Sequence, residues 1–159
     1  MDQDRCLRAH LINLLDSKNA HVTFKKALGD ISPALRGKKT AQFPYTIWEQ
    51  LEHMRIAQWD ILEFSRNSEH VSPVFPAGYW PVGEAPEDEA AWSEGLERFN
   101  RDLQEVIALV DNHSVDLFEK IPHGSGQTIL REVLLLADHN AYHLGQIVVL
   151  RKMLGAWPD

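Results

Sequence analysis

Residues 46–67 contain neither glycine nor proline, and Ile47, Leu51, Met54, Ile61 and Phe64 mark a stripe expected to be buried, with Ala57 keeping the spacing. Steps of three and four residues bring such positions onto one side of an α-helix. A helix of this length is stable in water only when other elements cover its apolar stripe. The rhythm returns at Leu7, Leu11, Leu14 and Leu15, again at Trp92, Leu96, Phe99, Leu103, Val106 and Val110, and once more after Thr128. Strand signals are nearly absent. The pattern predicts an all-α chain, a four-helix bundle made of four long amphipathic helices.

The boundaries follow from local chemistry. The first helix is expected to end near Ser17, and a short helix with Phe24 and Leu28 to close at Gly29. Residues 30–45, with Pro33, Gly37 and Pro44, read as irregular connection. Thr46 and Glu49 form the T-x-x-E capping box, which satisfies backbone donors at a helix start. Pro73, Pro76, Pro81 and Pro86 forbid helix across residues 68–86, where Phe75, Tyr79 and Trp80 add aromatic mass. Glu87, Asp88 and Glu89 suit the positive start of a third long helix. Gly124 and Gly126 mark a turn, and Thr128 caps a last helix running to about Leu154.

The connection at 68–86 is long enough to matter. It can span about 60 Å, whereas the second long helix measures about 30 Å. It can therefore return along the helix and leave the second and third long helices parallel, which predicts an up-down-down-up order. Long connections of this kind often serve function; this one is either an aromatic lid over one end of the helices or a passive crossover.

At 159 residues the chain is about one domain long, so residues 1–159 are read as a single domain. The formal charge of −7 argues against nucleic acid, which needs a basic face. Arg36–Lys39 (RGKK) is the one basic spot and reads as a solvated turn. A single cysteine, Cys6, excludes an intramolecular disulfide and is read as a packing residue. The start MDQDRCLRAH has no apolar core, and no apolar run reaches the roughly 18–20 residues of a membrane span. A cytoplasmic location without membrane attachment is the expectation.

The last helix carries the chemistry. His139 and His143 lie on a stripe with Leu136, Ile147 and Leu150, one helical turn apart and facing the core. Burying two imidazoles without partners is costly, and a shared metal ion removes that cost. His21, His70, His113 and His123 fall in irregular segments, where exposure is the usual outcome, while His10 and His53 lie within helices. His53, beside Glu49 and Asp60 on a second helix, completes a set of three ligands: His53, His139 and His143. Three imidazoles with open positions suit zinc, nickel, manganese or iron(II). Glu49, Asp60 and Gln146 are placed to orient the rings. Tyr142 points either into the site or to a neighbouring helix, and Asp138 is expected to face away. No E-x-x-H di-iron motif occurs, and Asn140 after His139 excludes the H-E-x-x-H of metalloproteases.

Three segments carry a family resemblance: LEHMRIAQWDILEF with His53, the turn PHGSGQT at 122–128, and LLLADHNAYHLGQIVVLRKMLGAW with His139 and His143. Over essentially its whole length the chain resembles the DinB-like superfamily of metal-binding four-helix bundles. The resemblance implies that one histidine of the second long helix and the H-x-x-x-H pair of the last bind a divalent metal, commonly nickel or zinc. It also implies an up-down-down-up arrangement and a homodimer. Relatives include transferases and isomerases that use low-molecular-weight thiols such as bacillithiol or mycothiol, and mycothiol-dependent ones often carry an added C-terminal domain. Two functions follow as expectations. One is a metal-dependent enzyme of the thiol-transferase, isomerase or hydrolase type, acting on a small-molecule substrate in a pocket shaped by Tyr79 and Trp80. The other is a non-catalytic stress-response protein whose metal is structural.

Overall fold

The computed structural model describes residues 2–16 and 20–158. The chain is all-helical: α1 Gln3–Leu15, α2 Phe24–Leu28, α3 Pro33–Arg36, α4 Ile47–Arg66, α5 Glu89–Asp111 and α6 Ile129–Met153. Among the described residues there is no strand, only isolated bridges between Thr40 and Phe43 and between Lys120 and Thr128. Among the described residues no helix is long and apolar enough to cross a membrane.

Each long helix starts where a short polar side chain can replace a missing backbone partner. Asp2, Thr46, Asp88 and Thr128 accept from the N–H groups of Asp4, Glu49, Ala91 and Arg131. At α4 the reciprocal bond is present too, with the Thr46 N–H donating to Glu49 Oε2 at 2.7 Å. The expected end of the first helix, Ser17, lies outside the described residues, and α1 itself closes at Asp16.

Side-chain bonds give the direction of each neighbour. Trp48 meets Trp92, Gln58 donates to the Phe99 carbonyl at 2.6 Å, and Arg66 pairs with Glu105. Numbers rise together, so α4 and α5 run the same way. Gly95 lets them approach closely, since a Cβ there would stand 3.1 Å from Glu52 Oε1 and 3.3 Å from Trp48 Cζ3. Between α4 and α6 the numbers oppose: Gln50 bonds His143, and the Phe64 carbonyl bonds His123 just before α6. Arg8 of α1 donates to the carbonyls of Val110 and Asn112 at the end of α5, so these two helices also oppose. The core between them is apolar, with Leu51, Met54, Phe99, Leu136, Leu144, Ile147 and Leu150 almost wholly buried.

The connection from α4 to α5 returns along α4, as its length allows. Tyr79 reaches His53, and the Glu84 carbonyl accepts from Thr46 Oγ1 at 2.7 Å, back at the start of α4.

Three expectations need correction. Residues 30–45 contain the short helix α3, which Pro33 opens. Arg36 is not part of a solvated turn: it is buried, bonds Glu89 through both terminal guanidinium nitrogens and lies 4.5 Å over the Trp92 ring. A planar guanidinium stacks on indole as a compact ammonium cannot. Ile61 and Phe64 are only partly buried, whereas Gln58 and Leu62 face the core. Gln58 is accommodated because it donates to Phe99 and accepts from Asn140 at 3.1 Å.

Candidate metal centre

The opposed directions of α4 and α6 bring the predicted histidines together halfway along both helices. Nε2 of His53 and Nε2 of His139 stand 3.1 Å apart. One ring nitrogen from each of His53, His139 and His143 lies within 4.8 Å of the others. Bonds of about 2.0–2.1 Å to a zinc-like ion hold ligand nitrogens about 3–3.4 Å apart, so the cluster is nearly of coordination size.

The ring nitrogens facing outward fix the chemistry of those facing inward. His53 Nδ1 is 2.8 Å from the Tyr79 carbonyl oxygen. That oxygen only accepts, so Nδ1 carries the proton and Nε2 presents a lone pair. His143 Nδ1 is 2.7 Å from Gln50 Oε1 and 3.2 Å from Gln146 Oε1, with the same result. His139 Nδ1 is buried and finds no hydrogen-bond partner within reach among the described residues. Two neutral imidazoles with locked tautomers and convergent lone pairs form a donor set that fits a divalent cation.

Burial keeps the rings neutral. The His143 pKa is pushed down to about 3 and that of His139 to about 4, chiefly by burial and further by the neighbouring imidazoles. His53 moves down for the same first reason, opposed by its bond to Tyr79. Neutral imidazole is the form that ligates metal.

The expected pocket aromatics flank His53. Trp80 stacks on the imidazole with ring centroids 4.0 Å apart, and Tyr45 stacks on the other face of Trp80 at 4.1 Å. Tyr79 holds His53 through its carbonyl, while its hydroxyl donates to Asp60 Oδ2 at 2.6 Å. Burial and the Asp60 carboxylate push the Tyr79 phenol up to about 12, which keeps it a donor.

The residues expected to orient the rings divide. Gln146 contacts His143 directly. Asp60 reaches His53 only through Tyr79, and Glu49 does not reach it, because its carboxylate is committed to the Thr46 backbone. His70 is not exposed as expected: its side chain is buried and Nε2 lies 2.7 Å from Asp60 Oδ1. The sequence reading missed Gln50, although a glutamine three residues before His53 shares its helix face.

Asp138 also departs from expectation. It does not face away from the site but lines a cleft of about 420 Å³ that opens onto the three histidines. Tyr142 lines it as well, with its ring edge-on to His143.

No curated protein and no solved structure matches the chain. A family model does match, over residues 18–147, and by that match, which covers most of its length, the chain belongs to the DinB superfamily.

Proposed function

We propose that the protein binds one divalent metal ion on His53, His139 and His143 at the centre of an up-down-down-up four-helix bundle, and that it is a metal-dependent enzyme acting on a small molecule. The observation that carries this reading is the pair of locked tautomers within one cluster: Tyr79 fixes His53, and Gln50 with Gln146 fixes His143, each ring left with an unprotonated Nε2. Membership of the DinB superfamily supports it. So does the cleft, which leads from solvent to the same three rings.

A bound ion of this class acts as a Lewis acid and lowers the pKa of a water or thiol that joins it. The chain supplies the rest. Trp80 and Tyr45 hold the His53 ring in plane, the glutamines hold His143, and the apolar side chains of the cleft keep bulk water from a bound substrate. The purely structural role is less well supported, because no fourth side chain among the described residues joins the cluster to close the coordination sphere. Zinc and nickel are the favoured ions, and a low-molecular-weight thiol is the favoured second reactant. A homodimer belongs to the same reading, with the exposed apolar residues Leu134, Val149 and Met153 on α6 as the surface it would cover.

Elemental analysis of protein purified without a histidine tag tests the reading. Close to one equivalent of metal per chain is expected for the native sequence, and almost none for His139→Ala/His143→Ala. Retention of a full equivalent by the double variant removes the assignment.

A further inference from the structure

The cleft that opens onto the three histidines has a chemistry of its own. Ala57 and Ile61 of α4 form one wall, Leu135 and Tyr142 of α6 the other, and Phe75 of the crossover stands at the mouth, 81% exposed. Ile61 lies two turns beyond His53 and Leu135 one turn before His139, so the apolar lining runs about 12 Å past the cluster along α4 and about 6 Å past it along α6. The only fixed charges lining it are the carboxylates of Asp60 and Asp138, and no lysine or arginine lines it among the described residues. Asp60 is occupied by Tyr79 and His70, whereas Asp138 is exposed.

From this arrangement we infer that the cleft takes a compact apolar or aromatic molecule that presents one metal-ligating atom at its inner end and is uncharged or cationic at its outer end. A ring or branched chain removes water from Ile61, Leu135 and Phe75, and its burial drives binding. A carboxylate on that part of the molecule meets two penalties: it loses water against apolar walls, and it enters a cleft whose fixed charges are the carboxylates of Asp60 and Asp138, with no lining cation among the described residues to offset either. The inference rests on the metal-site reading and adds the class of substrate to it.

Three benzylic thiols that differ only at the para position test it on cobalt(II)-loaded protein: 4-ethylbenzyl mercaptan, 4-(aminomethyl)benzyl mercaptan and 4-(mercaptomethyl)benzoate. The thiolate-to-cobalt absorption reads binding, and the common thiol leaves only the outer end to differ. The ethyl and aminomethyl compounds are expected to bind about tenfold or more tightly than the benzoate. Asp138→Asn should narrow that gap at unchanged cobalt content. Leu135→Ala should weaken all three while leaving 2-mercaptoethanol unaffected. Equal affinity of the three thiols in cobalt-loaded native protein, or preference for the benzoate, overturns the inference and leaves the metal site standing. Failure of the native protein to bind cobalt overturns both.

Discussion

Gln50 shows how one amide decides what a neighbouring ring can do. It is wholly buried, and its Oε1 accepts from His143 Nδ1–H at 2.7 Å, which leaves Nε2 of that ring a bare lone pair. Partners of this kind in metal sites are worth about 10–100-fold in metal affinity. Gln50→Leu is therefore expected to weaken zinc binding by about that factor, with Gln50→Glu restoring much of it; competition against a chromophoric chelator measures both. The His139 and His143 rings also make the metal-free protein sensitive to acid. Their pKa values in the folded state, about 4 and about 3, lie below the ordinary histidine value. The stability gained from burying them neutral is fully present above about pH 6.5 and is lost as the pH falls toward the folded values, where protonation forces charge into the core. Melting of the metal-free protein should accordingly decline between about pH 6.5 and pH 4, and the decline should flatten in His139→Asn/His143→Gln. A profile as steep in that variant as in the native sequence would assign the acid sensitivity to other groups.

The crossover between α4 and α5 is the element that joins fold to site. Asp60 on α4 accepts from the Tyr79 hydroxyl and from His70 Nε2, at the middle and the start of the crossover, and the Tyr79 carbonyl accepts from His53 Nδ1. Asp60→Ala removes the acceptor for both while leaving the donors in place. A hydrogen bond to a charged group is worth about 1.5–3 kcal/mol, so a stability loss of that order is expected. Limited proteolysis within residues 68–86 should accelerate, and metal affinity should fall although Asp60 touches no ligand. Unchanged cleavage and affinity would remove Asp60 as the anchor of this element. The crossover also marks what the sequence reveals and what it hides. Its prolines and its length make the return along α4 legible, because chain stiffness and reach are local properties. The H-x-x-x-H pair is legible for the same reason, since helical periodicity places both rings on one face. Which acceptor each ring finds is set by the pairing of separate elements. Glu49 and Gln50 are neighbours on α4, yet the first is held by the helix cap and the second by His143. His70 and Arg36 looked exposed because their own segments are irregular; Asp60 and Trp92, from elsewhere in the chain, bury them.

Taken as a whole, the molecule separates the source of its stability from the three-histidine cluster. A continuous apolar core joins all four long helices, from Leu11 and Leu15 through Leu51, Met54 and Phe99 to Leu144, Ile147 and Leu150. Arg8 and Arg151, both buried, tie α1 to the end of α5 and α2 to the end of α6 through backbone carbonyls. None of these contacts passes through the three imidazoles. On the proposed function, removing a bound metal would therefore cost the folded state only the binding free energy, which at a free concentration one hundred times the dissociation constant amounts to about 2.7 kcal/mol. Chelation should leave far-ultraviolet circular dichroism unchanged at 25 °C and lower the melting temperature. The shift should depend on metal concentration in the native protein and vanish in His139→Ala/His143→Ala. A metal that organised the fold would behave differently, since its loss would melt helices outright, as in small zinc domains. Collapse of helicity on chelation at 25 °C would return the structural reading to first place; retained helicity with a concentration-dependent melting shift leaves the ion free to exchange and to react.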